Sequence, residues 1–429
     1  MALFGRSKSD PAPSDAQPAS PAEPTPVTDA GVEPRSVDEY RERLLDSVTS
    51  LRPFGIGLPD AVGLTLCESI HSDIDLPVCA TARVDGWAVR GSNLVGASPH
   101  HPVRLPIVGE IDPGGFRGAP LMPGTVVKVA AGAPLPEGCD AVVPLESATE
   151  LVEEAQFTAE VAFQSELEPA GARIADGDLL LASGTVLDAR AIGLLAEVGI
   201  DKVLARPKPR VVVASIGADL VDPGLPLERL NQVYDAGTPL IAAAARADGA
   251  QVFPIGILPE GAAELRRTLA DQLLRADLIL LVAGATPDLA GVLGELGTVD
   301  AAGVAVQPAG PSLSATVGSD RTPLLVLPRD SAAAFVSYQV FARPVIRKLA
   351  GVAPTDREAV TAPLTRSLTV DPEGTSFVLA KTSERGAEPL GAGVPGPVEL
   401  VAADALIVVE PGVTELSAHS DVSVWSLRG

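Results

Sequence analysis

Thiols, imidazoles and hydroxyls are the side chains most able to carry chemistry, and their types and spacing here exclude several classes. Three cysteines, Cys67, Cys79 and Cys139, are odd in number and lack close metal-ligand spacing. That argues against a disulfide framework or a zinc knuckle and fits a reducing compartment. Four histidines, His71, His100, His101 and His419, are too scattered for a metal triad. No G-x-S-x-G string offers a nucleophile elbow for Ser/His/Asp catalysis. Gly114-Gly115 and Gly291 read as turn or packing glycines rather than phosphate loops. The balance of 32 Lys+Arg against 55 Asp+Glu gives a net charge of −23. Nucleic acid and anionic membranes both reward a basic surface, so neither is an expected partner.

The elements that must position any site follow from composition and periodicity. With 429 residues, 46% hydrophobic and 20% charged, the chain should fold into several globular domains. Residues 1–34, rich in Pro, Ala, Ser and Asp, read as a disordered tail. Ser36 and Glu39 have capping-box spacing, and Leu44, Leu45, Val48 and Leu51 recur at helical intervals, which predicts a helix over 37–50. A second helix is expected from an Asp188 N-cap to Gly199. Between them lie short β-rich runs such as 103–108 and 125–129. Beyond the Arg206-Pro-Lys-Pro209 connector, strands are expected over 210–216, 252–257, 278–283 and 324–327. Helices are expected over 239–248 (capped by Thr238), 264–275 and 332–349. This alternation predicts a parallel sheet covered on both faces. Ligands of such sheets meet the strand C-termini, which directs attention to the loops 217–221, 284–288 and 328–331. After Val352 the strands expected over 376–379, 405–409 and 422–427 fit a small β-barrel or sandwich. The N-terminus lacks the apolar run of a secretory signal, and no stretch of about 18 apolar residues suggests a membrane span. The expected location is the cytoplasm, with any membrane contact made through a partner.

Several strings, in order, resemble the molybdopterin molybdenumtransferase family, which includes MoeA and the E domain of gephyrin. Ala82-Arg-Val-Asp85-Gly-Trp-Ala-Val-Arg90 resembles that family's S-A-M-D-G-Y-A-V-R. Ala131-Gly-Ala-Pro-Leu-Pro-Glu-Gly-Cys-Asp140-Ala-Val-Val143 with Glu146 is similar to T-G-A-P-x-P-x-G-A-D-A-V-V and its following acid. Gly193–Gly199 and Arg206–Gly217 resemble the end of the family's insert and the start of its doubly wound domain. The resemblance implies an elongated multidomain α/β plus β architecture. Its expected parts are a helical stalk (35–70 and 175–206), a β-rich insert (71–174), a doubly wound, molybdopterin-binding-like α/β domain (207–351) and a C-terminal β-barrel (352–429). It also implies a homodimer that takes adenylylated molybdopterin and molybdate, uses Mg²⁺ and releases AMP. The active site is implied to lie between the doubly wound domain of one subunit and the insert of the other.

Against that pattern the chemistry-bearing motifs depart. Asp85 is present, either as an inherited functional carboxylate or as a brace for the Gly86 turn. The family's G-E-D-I is Gly171-Ala172-Arg173-Ile174, which replaces two carboxylates by one cation. G-D-E-L is Gly217-Ala218-Asp219-Leu220, where Asp219 could ligate a metal or cap the next turn. S-G-G-V-S-V-G-x-x-D has contracted to Ala283-Gly-Ala-Thr-Pro-Asp288, with fewer amides for an anion. K-P-G-K-P is Gln307-Pro-Ala-Gly-Pro311, without either lysine, and L-P-G-N-P is Leu327-Pro-Arg329-Asp330-Ser331, whose turn must be rebuilt without its glycine. Two functions follow. In the first, the chain is a catalytically impaired dimeric scaffold for a tubulin-like division polymer or the cytoplasmic segment of a membrane receptor. Its docking surface would lie around Phe335, Tyr338, Phe341 and the strand near 405–409, and a partner would recruit it to the membrane or division site. In the second, it is an active transferase with Asp85 and Asp219 on Mg²⁺, Arg83, Arg173 or Arg329 on phosphate, and Gly132, Gly217 and Gly284 at the substrate.

Overall fold

The computed structural model describes residues 33–116, 118–286, 288–391 and 396–428. Nearly all of the expected tail, and Pro287 in the contracted loop, lie outside the described residues. The chain divides into two compact units, one formed by Thr49–Pro209 with Arg347–Thr355 and the other by the segment up to Val48 with Arg210–Ile346 and Asp356–Gly429. No helix among the described residues is long and apolar enough to cross a membrane.

In the unit built on Thr49–Pro209, Asp188 caps the helix Ala189–Glu197 as expected, accepting from the backbone N–H groups of Arg190 and Ala191 at 3.0 and 2.9 Å. Leu195 of that helix packs on Leu58, Leu66, Leu187 and Val203 beside a three-stranded sheet of Phe54–Gly57, Lys202–Arg206 and Thr65–Leu66. A six-stranded sheet follows the order Ala141–Pro144, Gly86–Val89, Val126–Val129, Val103–Ile111, Glu154–Phe157, Ala148–Glu150. Alternation along Gly86–Val89 sends Trp87 and Val89 into one core and Ala88 into the other. Gly86 sits where no side chain fits, since an added Cβ would lie 2.5 Å from the Val143 carbonyl oxygen.

The other unit begins with the helix Val37–Asp46. Its capping box forms as expected: Glu39 N–H donates to Ser36 Oγ at 3.2 Å, and Ser36 N–H donates to Glu39 Oε2 at 3.1 Å. The helix stops earlier than its apolar periodicity suggests, with Ser47 Oγ donating to the Leu44 carbonyl at 2.7 Å. A side chain that bonds the backbone three residues back competes with further helical turns.

The α/β part comprises β1 (Arg210–Ile216), α1 (Gly237–Ala247), β2 (Gln251–Leu258), α2 (Ala262–Leu273), β3 (Leu278–Ala283), α3 (Leu289–Leu296), β4 (Gly297–Asp300), β5 (Leu313–Val317) and β6 (Thr322–Leu327). The strand order is β2-β1-β3-β6-β5-β4. β2, β1, β3 and β6 run parallel, whereas β5 and β4 pair antiparallel, so the sheet is mixed and not wholly parallel as expected. The reason is local: only four residues separate β5 from β6, too few for a crossover helix. Val212, Ala214 and Ile216 share a core with Leu265 and Leu269 of α2 and Val292 and Leu293 of α3. On the opposite face α1 starts tightly against β3, where a Cβ on Gly237 would meet Val282 Cγ1 at 2.5 Å.

Beyond β6, α4 (Ser331–Ser337) continues through a π-helical turn, Tyr338–Ala342, into Arg343–Ala350. The run expected over 332–349 is therefore helical throughout. The C-terminal sheet follows the order Val306–Gln307, Thr375–Ser383, Ala405–Val409, Asp421–Ser426, Ala359–Pro363, and Gly386–Pro389 also pairs with Thr375–Ser383. The Gly386–Pro389 and Ala359–Pro363 ends meet at the bridge Leu364↔Ala387, with Thr365 N–H donating to the Ala387 carbonyl at 3.0 Å and Arg366 donating to the Pro389 carbonyl. The strands expected to form a barrel thus make a sheet whose ends come together at this bridge.

Placing a methyl group at position 86 should push the Val143 carbonyl out of a paired strand. Gly86→Ala is expected to destabilise the protein by about 1–3 kcal/mol, read as a lowered thermal midpoint. Ala substitution at exposed Gly193, which has open space around it in a helix, should not lower it.

Candidate functional site

The sequence-predicted residues fall into two groups, one in each unit. In the Thr49–Pro209 unit, Arg83 and Asp85 lie between the strands Thr81–Ala82 and Gly86–Val89, opposite the loop 131–133. Asp85 Oδ1 accepts the Ala131 N–H at 2.8 Å, and its carbonyl accepts the Leu145 N–H at 3.2 Å. Gly132, with φ +81, donates its N–H to the Ala82 carbonyl at 2.7 Å. The arrangement joins Arg83, Asp85 and Gly132 in one pair of loops, with the Asp85 carboxylate exposed and acting as a brace. Arg83 is exposed and its side chain has no ion-pair partner among the described residues. Arg173 lies 3.5 Å from Glu168 and 3.6 Å from Glu197, so local carboxylates already neutralise it.

In the other unit the loops after β1, β3 and β6 converge, as the parallel strands require. Arg329 Nη2 donates to Asp219 Oδ2 at 2.6 Å, and this contact is the leading cause that holds the Asp219 carboxyl below its ordinary range. The Arg329 stem passes Gly284, with its Cδ 3.7 Å from where a Cβ would stand. Gly217 is buried, and an added Cβ would crowd Leu220 and Asp219 Oδ1 at 3.0 and 3.1 Å. It therefore shapes the loop and does not line a surface. Arg329 does not adopt a positive φ, and Asp330 begins α4 by accepting the Ala333 N–H at 2.9 Å. This is how the turn is rebuilt without glycine. In the contracted loop, Asp288 takes a left-handed φ of 55, and its Oδ1 stands 2.2 Å from where a Gly291 Cβ would be. A carboxylate folded over the first turn of α3 disfavours a bound anion there.

Sequence reasoning missed three further features. Asp235 is buried and its Oδ1 accepts from Ser215 Oγ at 2.7 Å and from the Thr238 N–H at 3.1 Å, while Ser215 Oγ lies 2.9 Å from Thr238 Oγ1. The acid three residues before Thr238 is the sequence signal for this helix start. Arg229 donates to the Ala218 carbonyl at 3.3 Å, and Glu260 accepts the Ala218 N–H at 2.8 Å. No local pattern announces these two contacts.

The expected docking aromatics are corrected by packing. Tyr338 and Phe341 are 0% and 1% exposed. Tyr338 Oη donates to Asp248 Oδ2 at 2.6 Å, Arg343 Nε donates to Asp248 Oδ1 at 3.0 Å, and Phe341 meets Tyr40 edge-on with ring centroids 5.3 Å apart. Phe335 is only half-buried, but alone it makes no patch. The strand Ala405–Val409 is paired on both edges, so it offers no free edge either. Helical spacing of aromatics here records core packing.

Mg²⁺ is held through carboxylate and other oxygen ligands. Among the described residues no group of three or more His, Cys, Asp or Glu side chains could hold a metal ion. Asp219 is already engaged by a guanidinium and Asp85 by a backbone amide. These residues do not fit the expected Mg²⁺ site.

Comparison with known proteins agrees with this architecture. Residues 35–199 match the family described as MoeA N-terminal region (domain I and II). The chain is 30% identical over 406 residues to Molybdopterin molybdenumtransferase 2 of Mycobacterium tuberculosis, covering 92% of this chain and 100% of that one. It is 31% identical over 351 residues to Molybdopterin molybdenumtransferase 1 of the same organism, covering 76% and 81%. The crystal structure of the molybdopterin biosynthesis MoeA protein from Pyrococcus horikosii superposes with a TM-score of 0.84 at 25% identity, covering 92% of this chain and 100% of that one.

The two carboxylates should behave differently on substitution. Asp85→Ala removes an acceptor from Ala131 and should cost about 0.5–1.5 kcal/mol in chemical denaturation, whereas Asp85→Asn keeps an acceptor and should cost less. Because Arg329 depresses the folded-state value of Asp219, the stabilisation is present above the ordinary aspartate value of 3.8 and is lost as pH falls through the depressed value. Asp219→Asn should therefore lower stability near neutral pH by no more than about 1 kcal/mol, as for an ion pair open to solvent. The difference from the unsubstituted protein should close in acid.

Proposed function

Because the chain belongs to the molybdopterin molybdenumtransferase family, we propose that it acts in molybdenum cofactor biosynthesis, inserting molybdate into adenylylated molybdopterin with release of AMP. The observation that carries this reading is the match to Molybdopterin molybdenumtransferase 2 over 100% of that protein at 30% identity. The convergence of the loops holding Asp219, Gly284 and Arg329 at the C-terminal edge of the parallel strands supports it, because ligands of such sheets engage that edge. In this reading Arg329 meets substrate phosphate, Arg83, Asp85 and Gly132 form a second substrate-facing surface, and the chain works as a homodimer. The finer division into stalk, insert, doubly wound domain and C-terminal β module belongs to the same proposal.

One observation favours a second reading, a catalytically impaired dimeric scaffold for a division polymer or receptor segment. Arg329 neutralises Asp219, while Arg173 is taken up by Glu168 and Glu197. Burial of Tyr338 and Phe341 removes the surface first expected for that role.

Complementation of a bacterial strain lacking its molybdenumtransferase, scored by nitrate reductase activity, separates the two. Restored activity that Asp85→Ala reduces at unchanged protein level is the expected result. An abundant, folded protein that restores nothing would contradict the transferase reading.

A further inference from the structure

We propose that the Arg329 guanidinium takes, at Asp219, the place of a divalent cation, so that a phosphate-bearing ligand engages this loop cluster through Arg329 without a metal ion. The inference rests on the reading above for where the ligand approaches, and it departs from the Mg²⁺ requirement that the family resemblance implies.

Three observations carry it. First, Arg329 Nη2 stands 2.6 Å from Asp219 Oδ2, so one carboxylate oxygen is already taken by a cation. Arginine keeps its charge at any ordinary pH, so a metal ion at this carboxylate would be repelled by a fixed positive neighbour. Second, a guanidinium has five N–H donors, and only the bond to Asp219 is made among the described residues. The side chain is 34% exposed, so the remaining donors can be reached from solvent. Third, the pair is positioned from both sides. The arginine stem lies along Gly284, and Gly217 leaves room for the Asp219 carboxylate. Together these hold a planar cation where β1, β3 and β6 end, and such a fork matches two oxygens of a phosphate.

The two cations around the pair are outnumbered by four carboxylates, so the local charge is net negative. Arg329 and Arg229 stand with Asp219 and Glu260, and Asp330 and Asp288 lie at the starts of the neighbouring helices. Asp219 orients the guanidinium and cancels part of its charge, as a carboxylate partly cancels a bound metal. An anion here would be held by directed hydrogen bonds to Arg329, with Arg229 of the β1–α1 connection as the second cation.

Calorimetric titration of the full chain tests this with two probes, inorganic pyrophosphate and Mg²⁺ alone. Pyrophosphate should bind equally well with and without EDTA. Arg329→Gln should weaken binding about tenfold or more, as expected for loss of a charge-assisted contact, and Arg329→Lys should fall between. Mg²⁺ isotherms of the unsubstituted protein and of Asp219→Asn should coincide. Circular dichroism checks that each variant is folded. No pyrophosphate binding, binding that requires Mg²⁺, or binding unchanged in Arg329→Gln would overturn the proposal. These readouts do not use cofactor synthesis, so a chain that fails complementation but shows this pattern would contradict the transferase reading and leave the role of Arg329 standing.

Discussion

A guanidinium held by a carboxylate joins two loops at the C-terminal ends of the parallel strands. The Arg329–Asp219 contact joins the loop after β6 to the loop after β1, and its stem crosses Gly284 after β3. Three strand ends are thereby tied at the edge where such sheets receive ligands. The same contact decides the electrostatics, since a carboxylate that already neutralises a fixed cation is a poor ligand for a mobile one. The rest of the unit serves to place it. The buried Ser215–Asp235–Thr238 cluster fixes α1 against β1, and Asp330 starts α4 immediately after Arg329.

The strings that made the family recognisable are, in this structure, largely devices of the six-stranded sheet in the Thr49–Pro209 unit. Gly86–Val89 pairs with Ala141–Pro144, so the strings Ala82–Arg90 and Ala131–Val143 contribute neighbouring strands. Arg90 donates twice to the Leu121 carbonyl at 3.0 and 2.7 Å, and Asp140 accepts the Gly91 N–H at 2.6 Å. Asp85 braces the loop that carries Gly132. Such residues testify strongly to fold and only indirectly to reaction.

Much of the architecture was legible in the sequence because its signals are local. The Ser36/Glu39 box, the Asp188 cap and the apolar run Leu278–Ala283 each form as read. Errors arose where a distant partner decides the outcome. The antiparallel pairing of β5 and β4 depends on the short β5–β6 connection and on what lies beside it. The bridge between Leu364 and Ala387 joins segments with no shared pattern. At the candidate site, the losses from the family motifs were visible residue by residue. That Arg329 would fall on Asp219, 110 positions away in sequence, was not. Aromatic spacing at Tyr338 and Phe341 fits a core and a surface equally well, and only the packing of Tyr40 and Asp248 against them distinguishes the two.

Anomalous diffraction from crystals of the full chain soaked with Mn²⁺ and pyrophosphate would test the central claim most directly, because it locates metal and phosphate independently. The account predicts pyrophosphate density on the Arg329 guanidinium, the Arg329–Asp219 contact intact, and no anomalous peak at the Asp219 carboxylate. A manganese peak within coordination distance of Asp219, with Arg329 turned away, would contradict it.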